Sequence, residues 1–176
     1  MSWNPQVVPS LPAGLLVSGG QMAALLNALQ VAVTPPTMIA TVFAPNSLSI
    51  TSGTDTAVLW DVEEEPSGGA HSITTNPDRY TAPLGGVYAI SAKYQFSTSS
   101  GGTYRQVKIC VNGTVVVRAM QPPQPSYQTD VEVYTEKRLA VGDYIQVKVR
   151  QDTGGNLTGD SGSDGGPRWT VRYARA

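Results

Sequence analysis

From Met38 onward, apolar and polar residues alternate with a period of two, and that period commits a chain to strands. Runs of this kind occupy 38–44, 56–60, 79–81, 86–97, 104–111, 114–121, 127–139, 144–151 and 169–174. Turn residues separate them. Asn112-Gly113 between two apolar runs is a strong signal for a two-residue hairpin, whose central residues need positive φ. Gly142-Asp143 parts two further runs, Ser99-Ser100-Gly101-Gly102 and Gly154-Gly155 read as flexible loop tips, and 158–167 reads as a solvated loop. Many strands without interspersed helices predict a sandwich or barrel. The 18 Gly and 13 Pro, with only 14% charged residues, fit such a turn-rich fold better than a helical bundle.

Charge divides the chain differently. Residues 1–54 contain no Lys, Arg, Asp or Glu; all 12 basic and 13 acidic side chains lie from Asp55 onward. An uncharged segment of this length needs a cover, supplied by its own domain, by copies of itself or by a larger assembly. Pro5, Pro9 and Pro12 mark 1–17 as an extended arm. Ser18 with Gln21 forms a capping box, and Met22, Leu25, Leu26, Leu29 and Val33 recur at helical spacing until Thr34-Pro35-Pro36 ends the helix. The expectation is a docking element over 1–37 and an independently folded head over 38–176. Val7, Val8, Leu11, Leu15 and Leu16 of the arm, with Met22, Leu25, Leu26 and Leu29 of the helix, are the candidate partner-binding residues.

Chemistry that would mark an enzyme is sparse. His71 is the lone histidine and has no neighbouring Cys or second His, which argues against a zinc site or a catalytic triad. Glu63-Glu64-Glu65 reads as a solvated loop face. Asp160-Ser161-Gly162-Ser163-Asp164-Gly165 lacks the middle ligand and the terminal Glu of a calcium loop. Cys110, in an apolar run, reads as a buried small hydrophobe. Asn112-Gly113-Thr114 and Asn156-Leu157-Thr158 match the glycosylation pattern but read as turns. No phosphate loop, signal peptide or membrane span is expected, and a net charge of −1 argues against nucleic acid. The expectation is no catalytic residues, no metal and no cofactor.

Several segments resemble, in order, the globular head of complement C1q and its tumour necrosis factor relatives. Arg79-Tyr80-Thr81-Ala82-Pro83 followed by Gly85-Gly86-Val87-Tyr88-Ala89-Ile90 is similar to that family's "G-x-Y" strand entry. Val111-Asn112-Gly113-Thr114 resembles its hairpin, and Leu139-Ala140-Val141-Gly142-Asp143-Tyr144-Ile145-Gln146-Val147 its "L-x-x-G-D" segment. The closing run after Leu157 sits where the family ends. The resemblance implies an all-β C1q/TNF-like jelly-roll sandwich, preceded here by the extended arm and short helix, and assembled as a homotrimer. Tyr88, Tyr94, Tyr127, Tyr134, Tyr144 and Trp60 are candidates for core or trimer axis, and the trimer-interface residues are left unassigned. Because some relatives bind calcium at the trimer top, Asp152, Asp160 and Asp164 are the residues to inspect for it. No collagen-like stalk precedes the head. Leu16-Val17-Ser18 through Pro35-Pro36 resembles structural proteins of tailed, especially actinobacterial, bacteriophages. That resemblance implies a capsid decoration or cement protein on the virion surface, made in the host cytoplasm and docked on the major capsid protein or a tail protein. The alternative is a minor tail or fibre protein that binds a host receptor or cell-surface glycan through the loops at 99–104, 122–127 and 154–168.

Overall fold

The computed structural model of the chain describes residues 18–33, 36–41, 48–159 and 166–176. The chain falls into two compact units, Met1–Thr34 and Pro35–Ala176. In the first, helix α1 spans Gly19–Val33. Its capping box forms reciprocally: the Ser18 amide donates to Gln21 Oε1 at 2.9 Å and the Gln21 amide to Ser18 Oγ at 3.2 Å. Among the described residues no helix is long and apolar enough to cross a membrane.

The second unit is all β. Its strands are β1 (Thr37–Thr41), β2 (Ser49–Ile50), β3 (Thr56–Ala57), β4 (Val62–Glu65), β5 (Tyr80–Thr81), β6 (Gly86–Phe96), β7 (Arg105–Val111), β8 (Thr114–Gln121), β9 (Thr129–Leu139), β10 (Tyr144–Gln151), β11 (Leu157–Thr158) and β12 (Arg168–Arg175). One sheet has the order β4-β1-β12-β6-β9; a second has β3-β10-β7-β8, with β5 also on β10; β11 and β2 form a small pair. Every pairing between these strands is antiparallel. The first and last long strands lie side by side, and β9 returns to β6 after the β7–β8 hairpin has formed in the other sheet. This is the jelly-roll connection expected from the strand and turn order.

Period-two alternation sorts the two faces. Along β6, Tyr88, Ile90, Ala92 and Tyr94 point into the sandwich, joined by Met38, Ala40, Trp169, Val171, Val131 and Val133 from the same sheet. Val107, Ile109, Ile145, Val147 and Val149 face them from the second sheet. Trp60 and Trp169 meet in the core with ring centroids 5.4 Å apart, and Tyr80, Tyr88 and Tyr173 form a run of edge contacts at 6.1 and 5.3 Å.

Several local expectations are corrected. Glu63-Glu64-Glu65 is not loop but strand β4, paired with β1. Leu157 and Thr158 are not a turn but β11. The run at 56–60 pairs as a strand only over Thr56–Ala57; Trp60 leaves the ladder, donating its amide to the Pro77 carbonyl at 3.0 Å, and buries its indole. The run at 127–139 begins at Thr129, which leaves Tyr127 73% exposed. The part of 38–44 beyond Thr41, and most of the loop at 158–167, lie outside the described residues.

Candidate functional site

The sequence-derived contact residues divide sharply. Val7, Val8, Leu11, Leu15 and Leu16 lie outside the described residues. Met22, Leu25, Leu26 and Leu29 are on α1, with 47%, 70%, 58% and 62% of their surface exposed. The helix has no acidic residue in its first turn and no basic one in its last. It therefore presents large apolar side chains with no charge on the helix to solvate them.

A second surface is the outer face of the β4-β1-β12-β6-β9 sheet. The register aligns Ile39, Thr170, Ser91 and Tyr134 in one row across β1, β12, β6 and β9. One flanking row runs Arg168, Lys93, Glu132 and the other Arg172, Ala89, Glu136. From β1 to β9 an uncharged band thus lies between two rows that each carry both signs, and at the β4 edge the band ends on Glu65 opposite Ile39. Tyr134 is the prominent side chain of the band, 60% exposed. Its hydroxyl donates to Glu136 Oε1 at 3.3 Å, and desolvation together with the Glu136 charge pushes its phenol above the ordinary tyrosine value. Of the other aromatics considered for the axis, Tyr88, Tyr94 and Trp60 are core, and Tyr144 is half-buried under the Arg79 guanidinium, whose Cζ lies 4.5 Å from its ring centroid.

The loop at 99–104 is not a flexible tip. Arg105, fully buried at the end of the sandwich, donates through Nη1 to the Tyr104 carbonyl at 3.0 Å and through Nη2 to the Ser99 and Gly101 carbonyls at 3.1 Å each. Asp152 accepts from the other side: the Thr103 and Tyr104 amides at 2.8 and 3.0 Å, and Thr103 Oγ1 at 2.6 Å. Desolvation alone would raise the Asp152 carboxyl, but these bonds and the Arg105 charge outweigh it and hold the group below its ordinary value. Its oxygens are thus already engaged by protein donors. Asp160 and Asp164 lie outside the described residues, and among the described residues no cluster of His, Cys, Asp and Glu could hold a metal ion.

His71 is buried and clamped. Its Nδ1 lies 2.7 Å from Glu63 Oε1 and its Nε2 3.1 Å from the Pro77 carbonyl, while Ser67 Oγ also reaches Glu63 Oε1 at 3.2 Å. This set ties β4 to the loop before β5, and both ring nitrogens are occupied by it. Cys110 is buried, with its thiol pushed up by burial, as a packed hydrophobe should be. Beside His71 and Arg79 lies an open pocket of about 270 Å³, lined also by Ser72, Thr75, Asn76, Thr81 and Tyr144. It is not legible along the chain, because its walls come from residues 69–76, Arg79 and Thr81 at β5, and Gly142 and Tyr144 at the start of β10.

No protein-family model matches the sequence, and no curated protein matches it. Solved structures do resemble it in fold. The structure of murine APRIL at pH 5.0 aligns over 78% of this chain and 99% of its own, with a TM-score of 0.54 at 12% identity. The structure of murine APRIL at pH 8.5 aligns over 78% and 98%, with a TM-score of 0.56 at 14% identity. At such identity the likeness is one of architecture: the head is a C1q/TNF-like jelly-roll sandwich.

Proposed function

We propose that this chain is a non-enzymatic structural protein of a bacteriophage virion: a homotrimer that decorates or cements the capsid surface, held there by its N-terminal residues. The observation that carries the anchoring role is the uncharged helix with Met22, Leu25, Leu26 and Leu29 exposed. Burying such side chains against a capsid or tail protein yields about 25 cal/mol per Å² of apolar surface. Three copies acting together turn a modest single contact into firm attachment. The phage attribution itself rests on the sequence resemblance over Leu16-Val17-Ser18 to Pro35-Pro36. Trimerisation is supported by the fold likeness and by the uncharged band around Tyr134. The non-enzymatic reading is supported by the way His71, Glu63 and Asp152 are used up in structural bonds.

The test is attachment to particles lacking the native copy. Deleting residues 1–37 should leave a β-rich head that melts cooperatively but no longer co-sediments with particles. Leu25→Asp with Leu29→Asp should weaken co-sedimentation in the same way, since each carboxylate must be desolvated at an apolar contact. Attachment of the truncated head as tight as that of the full chain would transfer the contact to the head. The second reading, a tail protein that binds a host receptor or glycan, is favoured by the pocket beside Arg79 and Tyr144.

A further inference from the structure

Positive charge gathers on the outer face of the β3-β10-β7-β8 sheet. Lys148 of β10 stands opposite Lys108 of β7, and Lys108 opposite Arg118 of β8. Cations directly opposed across strands repel, so such a row weakens a sheet unless something outside it compensates. One step along, Arg150 stands opposite Gln106 and adds a fourth cation. At the other end of β10, Arg79 stacks on Tyr144 and adds a fifth. Two carboxylates answer them. Asp55 sits 2.6 Å from Lys108 Nζ and 3.7 Å from Arg150 Nη1. Asp78 accepts from Gln146 Nε2 and lies 3.8 Å from Arg79 Nε. Lys108 is only 6% exposed and its charge is taken up by Asp55, so the cations this face offers outward are Arg118, which is exposed, and Lys148 and Arg150, which are half-buried, on a chain whose net charge is −1. Among the described residues, Lys148 and Arg118 have no ion-pair partner.

The stripe has length and an end. Tyr144 to Arg150 covers about 20 Å along the strand at ~3.3 Å per residue. At the Tyr144 end lies the open pocket of about 270 Å³, walled by the hydroxyls of Ser72, Thr75 and Thr81, the amide of Asn76 and the Arg79 guanidinium. That is slightly under the roughly 300–1,000 Å³ of drug-sized pockets, and its lining is polar where theirs is mostly apolar. It suits one hydroxyl-rich unit rather than an apolar side chain.

We infer that this face binds an anionic polysaccharide. The chain lies along β10 with its acidic groups paired to Lys148, Arg118 and Arg150, and one sugar unit enters the pocket beside Arg79. A nucleic acid fits less well, because single-strand binders offer free aromatic faces to bases, and the Tyr144 ring here is already stacked by Arg79. An acidic protein segment fits less well, because the pocket's lining is mostly polar and its Tyr144 ring is already stacked by Arg79, which leaves little of the apolar cavity in which protein hot spots anchor. This inference concerns the head alone and does not depend on where the N-terminal residues dock.

The test uses the full chain and four immobilised probes at low salt: alginate for carboxylates, dextran sulfate for sulfates, neutral dextran, and a DNA duplex. Retention on an acidic polysaccharide, with none on neutral dextran and less on DNA, is expected. Lys148→Glu with Arg118→Glu should weaken that binding by about tenfold or more, as loss of ionic contacts to a polyanion does. Lys137→Glu with Arg138→Glu, the same charge change on exposed positions of β9, should change it less than about twofold, because only contacting cations release counterions. Thr81→Phe, which fills the pocket without altering charge, should also weaken binding, while the melting temperature of each variant reports its fold. Failure of the wild-type chain to bind either acidic probe overturns the proposal. So does equal loss in the β9 control, an unaffected Thr81→Phe variant, or tighter binding to DNA. Particle attachment, read separately, reports on the N-terminal contact and not on this one.

Discussion

Asn112 shows how much one side chain can fix. It and Gly113 form the two-residue turn between β7 and β8 with φ of 49° and 79°, both positive as a type I′ turn requires. The Asn112 side chain then reaches the next turn: Nδ2 donates to Asp143 Oδ1 at 2.8 Å, and Oδ1 accepts from the Tyr144 amide at 3.0 Å. Gly113→Val should cost about 1 kcal/mol or more in a denaturant melt, since a β-branched residue strongly disfavours positive φ. Asp143 is held below the ordinary carboxylate value, first by the Asn112 amide and then by the Ala140 amide. The sign follows from that depression. The folded state keeps this carboxylate charged while the unfolded chain takes up a proton, so its contribution is complete above the unfolded value of about 4 and is lost as pH falls through the lower folded value. Asp143→Asn should flatten the acid limb of a stability-versus-pH curve, and an unchanged slope there would mean the turn does not hold the charge. Gly86 is constrained by space instead. A Cβ there would lie 2.5 Å from Tyr173 Cε2 and 2.6 Å from the Arg175 carbonyl, so Gly86→Ala should lower the melting temperature by displacing the last strand.

Among elements, the 99–104 loop depends on two residues outside it. Arg105 satisfies three of its carbonyls and Asp152 two of its amides. Arg105→Met keeps the length of the side chain but strands those carbonyls at a buried site. The expected cost is about 2–4 kcal/mol, by the usual penalty for unpairing buried polar groups and charges. Amide hydrogen exchange should accelerate at Thr103 and Tyr104, in the loop, well before it does in β7. Uniform exchange across β7 in the variant would show that the loop is not pinned in this way. Strand β4 makes a different point. A run of three glutamates has poor strand propensity. At a sheet edge, however, charged side chains are tolerated and keep the edge from pairing with another chain. Glu63 is anchored inward by His71, Glu64 by Arg168 Nη2 at 2.7 Å.

At the scale of the whole molecule, the head has one broad sheet face whose centre is uncharged and whose margins carry both signs. In a ring of three the contacts are heterologous, so two different patches of neighbouring copies meet, and an uncharged band with both signs at its margins puts no single-sign repulsion into that contact. Tyr134 stands in the uncharged row. Tyr134→Asp should convert the proposed trimer into monomers in sedimentation equilibrium while leaving the melting of the isolated head cooperative. A variant that still sediments as three chains would remove this face from the assembly.

The sequence alone determined the long strands and the turns between them, because period-two alternation and the Asn-Gly pair act over a few residues. It also determined the capping box of the helix, since Ser18 and Gln21 need only each other. It named Tyr88, Tyr94 and Trp60 as aromatics of interest without separating them from Tyr134, because burial depends on which face of a strand meets the other sheet. The short strands β2 and β11 escaped notice because two residues have no period. Strand β4 escaped because its pairing with β1 is a long-range contact that outweighs local preference. The cation row Lys148–Lys108–Arg118 and the pocket beside Arg79 were likewise invisible. Register brings together residues up to forty positions apart in the row, and no spacing along the chain records which strands will lie side by side.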